Sequence, residues 1–196
     1  LALIIRNDST TPSVTTRALK ASGGAFLTAG DFASVTVTSA TVKLNNTGTN
    51  FDPGTGGTAL ALDIDGVAAT LDARDNAQSV SLVGLTAEFG GFVTVSGNIG
   101  FRKQVTGTVT EIQATATMVD VSLKVGTVFE AGVNDGTLAL IIRNDSTTPS
   151  VTTRALKASG GAFLTAGDFA SVTVTSATVK LNNTGTNFDP GTGGTA

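Results

Sequence analysis

Two acidic sets in this chain are spaced closely enough to share a ligand or a proton. The first is Asp63, Asp65, Asp72 and Asp75; the second is Glu130 and Asp135 with the amide of Asn134. Carboxylate pairs can act as general acid and base, as in glycoside hydrolysis. Hard cations also want several oxygen ligands, which acidic turns supply, so calcium is the more natural ligand for both sets. Neither set follows the twelve-residue EF-hand pattern, and the glycine-rich nonapeptide that binds calcium in β-rolls is absent. Asp63 and Asp65 alternate with Leu62 and Ile64, which also fits the solvated face of a strand.

Other chemistry is restricted by composition. The chain contains no His, Cys, Tyr or Trp. This removes the usual general base near neutral pH, the thiolate nucleophile and most transition-metal ligands. No catalytic residue is expected, and no cofactor other than possible calcium. Asp52 to Thr58, "DPGTGGT", shares only its glycines with a phosphate-cradling loop; the following Lys is missing, and Pro-Gly signals a turn. Thr36 with Thr38, and Thr115 with Thr117, give Thr-x-Thr pairs of the kind found on ice-binding sheets, although outward Thr is ordinary in strands. Glycan or ice binding by a calcium-stabilised module is therefore the alternative function. Net charge is -3, without a basic run, and Phe is the only aromatic residue. Phosphate neutralisation and base stacking both lack the side chains they need, so nucleic acid is not expected as a partner. No apolar stretch is long enough for a membrane-spanning helix.

The elements that must position these residues are strands. Apolar residues make up 40% and charged residues 14% of the chain, and Gly is frequent. Thr and Val crowd the remainder, and strand propensity follows from them. Turn signals at Asn7-Asp8, Gly30-Asp31, Asn45 to Asn50, Asp72 to Asn76, Gly90-Gly91 and Asn134 to Gly136 separate stretches of period-two alternation. Several stretches change phase. Ala33, Val35 and Val37 give way to Ala40, Val42 and Leu44; Ile112 to Met118 give way to Val119 to Val125; Leu60, Leu62 and Ile64 give way to Val67, Ala69 and Leu71 across Gly66. Each phase change implies a bulge, a bend or passage to a second sheet. The expected fold is all-β, with long antiparallel strands in two packed sheets. Val35, Val37, Ile99, Phe101, Leu123 and Val125 are the expected core.

Organisation comes from repetition. Residues 1–59 are identical to residues 138–196, an offset of 137. Residues 1–137 are thus one full repeat, and 138–196 begin the next. A weaker echo lies inside the repeat: Leu27-Thr28-Ala29 returns as Leu85-Thr86-Ala87, and Val35-Thr36-Val37 as Val93-Thr94-Val95. It suggests two related β modules, about 1–58 and 59–137. Four cations and three acids give each duplicated part a net +1, whereas 60–137 carries four cations and nine acids, or -5. Both termini fall inside the repeating pattern, so a longer array is expected, with Leu-Ala-Leu-Asp continuing after Ala196. The junction "GTVFEAGVNDGTL", Gly126 to Leu138, contains no Pro- or Ser-rich spacer. A continuous β fibre is therefore expected, beads of β-sandwich domains being the alternative, with Phe129, Leu138 and Leu140 packing successive repeats.

Long-period identity, Gly/Thr/Val-rich strands, absence of Cys, and motifs such as "FEAGVNDGTLALIIRND" and "GFVTVSGNIGFRK" resemble the repeat regions of giant bacterial surface proteins and adhesins. The resemblance covers the whole chain and transfers no functional residue. It implies a non-catalytic filament or stalk, extracellular or at the cell surface, whose partners are adjacent repeats and identical chains.

Overall fold

A computed structural model of the chain describes residues 1–9, 14–30, 33–147 and 150–188. Among them are eleven strands, one 3-10 turn and no α-helix. The strands are β1 (Ala2–Asp8), β2 (Val14–Ala29), β3 (Ala33–Asn45), β4 (Leu60–Ile64), β5 (Val67–Leu71), β6 (Ala77–Phe89), β7 (Val93–Thr106), β8 (Val109–Val125), β9 (Phe129–Asp145), β10 (Val151–Ala166) and β11 (Ala170–Asn182). The all-β expectation holds. The expected pair of packed sheets does not: nine strands form one antiparallel sheet in the order β1-β2-β3-β6-β7-β8-β9-β10-β11, and β4 and β5 form a separate hairpin.

The phase changes in the sequence are resolved inside this sheet. Ladder register shifts between Gly23 and Ala25 on β2, Leu82 and Leu85 on β6, Ser96 and Asn98 on β7, Ala116 and Val121 on β8, and Ser159 and Gly161 on β10. Cross-strand pairing joins these sites into one transverse line, because Ala25 pairs with Val37, Val37 with Leu85, and Leu85 with Gly97. Each bulge adds a residue on one strand, and a one-residue insertion offsets a one-residue change of phase. Apolar rows consequently run on both sides of the line. One is Ala21, Val42, Val80, Phe101, Ala114, Leu140, Leu156 and Leu181. The other is Leu27, Val35, Ala87, Val95, Val121, Val133, Ala162 and Val174.

One expected turn and one expected change of phase take a particular form. Asn134-Asp135-Gly136 lies within β9, on the bulge line, where Asp135 adopts a φ of 50°. Across Gly66 the chain makes a two-residue hairpin, with Ile64 paired to Val67 and φ values of 52° at Asp65 and 82° at Gly66. Asp-Gly suits such a turn because both positions need positive φ.

The core is small, and it is not where the alternation placed it. Of the six expected core residues, Val37 is buried and Val35 half-buried, whereas Ile99, Phe101, Leu123 and Val125 are exposed. The buried cluster is instead Ala2, Ala18, Phe51, Leu71 and Ala73, with Ile4, Leu60, Leu62 and Ala69 against it. Beyond neighbouring strands, the recorded packing is that of β5 on β1 and β2. A sheet with one small covering layer leaves much surface in water: the accessible area is 12370 Å², against about 8,500 Å² for a compact monomer of this size.

Close approach along the bulge line generates a test. At Gly97 φ is 141°, and an added Cβ would lie 2.9 Å from the Met118 carbonyl oxygen. Gly97→Val is expected to cost about 1–3 kcal/mol in denaturant unfolding. The exposed Thr36→Ala change should stay within about 0.5 kcal/mol.

Candidate functional site

Among the described residues, the segment between β3 and β6 builds the most elaborate side-chain arrangement. It begins at Asn45, which is only 2% exposed. The Asn45 amide donates to the carbonyls of Thr49 at 2.8 Å and Ala73 at 2.9 Å, and its Oδ1 accepts from the Thr47 N–H and hydroxyl. A buried amide so fully paired is stabilising, whereas an unpaired one would be costly. The same Ala73 carbonyl accepts the Phe51 N–H at 3.1 Å. Phe51 is thereby held over Ala2 and Ala18, and the hairpin packs Leu71 beside it. "DPGTGGT" is the expected turn: Asp52 caps the 3-10 turn Pro53–Thr55 by accepting the Gly54 N–H, and Gly56 closes it at φ 80°.

Charge is organised around the hairpin's exit. Asp72 Oδ2 lies 3.1 Å from Lys20 Nζ, and Oδ1 lies 3.0 Å from Lys43 Nζ. Although Lys43 is within ion-pair distance of Oδ1, it aligns a hydrogen bond with the Asp72 carbonyl instead, at 3.3 Å. Oδ1 thus has a charge contact without an aligned donor. Burial pushes the Asp72 carboxyl up, but the ammonium groups of Lys43 and Lys20 outweigh it and leave the pKa below its ordinary value of 3.8. Beyond lies a groove of about 330 Å³ whose lining includes Thr41, Lys43, Asp72, Arg74, Arg102 and Gln113. On its far side Arg102 donates to Gln113, Gln113 donates to Glu111, and Arg143 Nε donates to Glu111 Oε2 at 2.6 Å. This relay crosses β7, β8 and β9, ending in the Arg143–Glu111 ion pair.

The structure does not gather the acidic residues singled out from sequence. Asp63 and Asp65 sit exposed at the hairpin tip, where Asp63 Oδ1 accepts the Gly66 N–H. Asp72 is held by two lysines, and Asp75 accepts the Gly48 N–H and the Asn76 amide. Glu130 stands near the start of β9 opposite Lys124, while Asn134 and Asp135 lie on the bulge line; the Asp135 N–H donates to Asp120 Oδ1. Among the described residues, no three acids form a group that could hold a metal ion. Phe129, Leu138 and Leu140 are half-buried on one strand, β9, paired respectively with Val125, Ala116 and Ala114 on β8. The Lys20–Asp72–Lys43 bridge and the Arg102–Arg143 relay escaped sequence reasoning because both need cross-strand register. The nearest signal was the run of long polar side chains at alternate positions Glu111 and Gln113.

Comparison with protein-family models, with curated proteins and with solved structures finds no match to this chain. Among the described residues, no helix is long and apolar enough to cross a membrane, a statement that does not extend to β-barrels.

Leu71 and Asp72 yield two predictions. Leu71 is fully buried, so Leu71→Ala should cost about 2–5 kcal/mol by chemical denaturation. Phe101→Ala, at a side chain 44% exposed, should cost clearly less. A depressed carboxyl pKa contributes stability that is full above the unfolded value and is lost as pH falls through the folded value. The stabilisation from Asp72 is therefore present above about pH 4 and decays below it. In Asp72→Asn the unfolding midpoint should drop near pH 7, by an amount equivalent to about 1 kcal/mol. Wild type and variant should then converge as the solution is acidified below pH 4.

Proposed function

We propose that this chain is a structural repeat of a long extracellular filament or surface stalk, and that its shaft is the antiparallel sheet itself, continued from one repeat to the next. The observation that carries this reading is the unbroken sheet: β10 repeats the sequence of β2 at an offset of 137, and the two stand in one ladder with every strand between them paired to its neighbours. On one side β9 pairs with β8 of the first repeat from Val109 to Val125; on the other it pairs with β10 of the second from Val151 to Thr165. Beads on a string would need a loop or linker where this molecule has a ladder.

Mechanical continuity follows from such an arrangement. Parting two repeats means breaking a strand-long set of main-chain hydrogen bonds together, each of which would need water in exchange. Placement outside the cell rests on the resemblance of the repeats to bacterial surface proteins and on a chain without cysteine, held by packing and ladder bonds. Adjacent repeats are the primary partner, and catalysis has no part in this function.

Strand spacing makes the proposal measurable. One period adds six strands to the large sheet, β2, β3, β6, β7, β8 and β9, before β10 restarts the sequence of β2. At about 4.8 Å per strand the sheet advances about 29 Å per repeat. Recombinant arrays of two, four and eight repeats, examined by electron microscopy and small-angle scattering, should give stiff particles whose length grows in steps of about that size. Flexibly jointed particles, with a hinge at each repeat boundary, would refute the continuous shaft.

A further inference from the structure

The two faces of the large sheet differ in chemistry. Successive side chains along a strand point to opposite faces. Ala18, beneath the hairpin, pairs with Asn45 and marks one face. Two residues along from Asn45, that face carries the polar row Lys43, Ser79, Arg102 and Gln113 across β3, β6, β7 and β8. Each next residue belongs to the other face, where the row is Val42, Val80, Phe101, Ala114 and Leu140.

This second face stays apolar beyond the bulge line, because the extra residues fall on the strands whose alternation changes phase. Thr38 and Ser39 of β3 stand opposite the single Gly24 of β2, Val83 and Gly84 of β6 opposite Asn98 of β7, and Met118 and Val119 of β8 opposite Gly97. The row Val35, Ala87, Val95, Val121 and Val133 therefore continues the same face. The packing recorded beyond neighbouring strands, β5 on β1 and β2, lies on the polar side. Val42, Val80, Ile99, Phe101 and Leu123 are left 39–44% exposed. All five lie on inner strands, paired on both sides. Further strands added in the plane of the sheet would leave them as bare as they are.

We infer that this apolar face is an interface, covered by the same face of a second copy of this chain, so that two sheets enclose one core. The occupant follows from the repeat. Since β10 restarts the sequence of β2 within one sheet, the bare face recurs at the spacing of one period, about 29 Å. Whatever covers it must recur at that spacing, and a second copy does so by construction. The size fits as well. Val93 to Phe101 on β7 spans about 26 Å, so one period presents about 750 Å² and a facing pair about 1,500 Å², the size of a stable interface. Sheets with apolar inner faces pack in this way, about 10 Å apart. A bilayer is the competing apolar surface, but strands that meet lipid carry girdles of Trp and Tyr, and this chain has neither.

This inference deepens the filament reading and rests on its continuous sheet for the spacing of the partner, but it is tested on the chain alone. By sedimentation the full chain should be a reversible dimer. Val80→Lys would bury an unpaired charge between the sheets, so V80K should raise the dissociation constant at least about tenfold. S81K, at the next residue and exposed on the polar face, should leave it unchanged. Because the chain has no Cys, single cysteines give a second reading that introduces no charge. The V80C thiol should be labelled more slowly as protein concentration rises, and the S81C thiol at one rate throughout.

A monomer at all concentrations, equal effects of V80K and S81K, or equal labelling of the two cysteines would overturn the assignment. So would flotation of the chain with phosphatidylcholine vesicles that V80K abolishes, which would give the face to lipid. If the chain dimerises as described while multi-repeat arrays are jointed, the paired faces stand and the continuous shaft falls. If arrays are stiff and the chain stays monomeric, the reverse holds.

Discussion

Side chains in a strand alternate with a period of two, and in this protein that constraint meets strands too long to keep one phase. β2, β3, β6, β7, β8, β9, β10 and β11 each run thirteen residues or more. A strand whose apolar residues change from odd to even positions has two options. It can turn its apolar face to the other side of the sheet, or it can insert a residue. Here the insertions align, so that Gly84, Gly97, Met118 and Asp135, all at positive φ, lie on one line across the sheet. Positive φ is costly for Met118 and Asp135. Neighbouring ladders on both sides of the line hold these residues in place, which is how such strain persists in a folded chain. Because the bulges occupy equivalent places on neighbouring strands, no strand can lose its insertion without shifting its partner by one residue.

This line also explains why the molecule can extend as a sheet without building a second layer of equal size. Ladder bonds satisfy the backbone of each inner strand on both sides, so only the side-chain faces and the two edges remain to be managed. The hairpin manages one corner. It brings Leu71 and Phe51 over residues that are small, Ala2 and Ala18, and small residues let the covering layer approach closely. Asp72 then closes the layer onto Lys20 and Lys43. The bridge lies at partly exposed positions, so its contribution is modest, and the apolar contact with Asn45's hydrogen bonds supplies most of the fit.

Much of this was legible in the chain itself. Alternation gave the strands, the phase changes gave the bulges, and Gly90-Gly91 marked a hairpin end. Assigning those phase changes to two sheets was the error, and it carried the core with it: Phe101 and Val125 look like interior residues only if a second full layer faces them. The Asp65-Gly66 turn was readable, since Asp-Gly between alternating stretches is a strong hairpin signal. The change of phase across Gly66 admits a bulge, a bend or passage to a second sheet as well as a hairpin, and the structure makes it the hairpin. The role of Asn45 was not readable. Its neighbour sequence, Asn45-Asn46-Thr47, resembles many polar turns, and only the fold brings the Ala73 carbonyl to its amide. Acidic spacing is similar: Asp63 and Asp72 belong to opposite ends of a hairpin, so nearness in sequence is not nearness in space.

Duplication has a physical consequence that sequence identity alone does not convey. In separate beads each unit answers only to its own interior, and two units can differ freely. In a shared ladder β9 must satisfy β8 of one repeat and β10 of the next. Arg143 shows the dependence at a single side chain: its partner Glu111 stands on the neighbouring strand β8, outside the duplicated residues 138–196. A residue of this kind has its partner on an adjacent strand of different sequence, so the duplicated residues are held by contacts that the duplication itself does not contain.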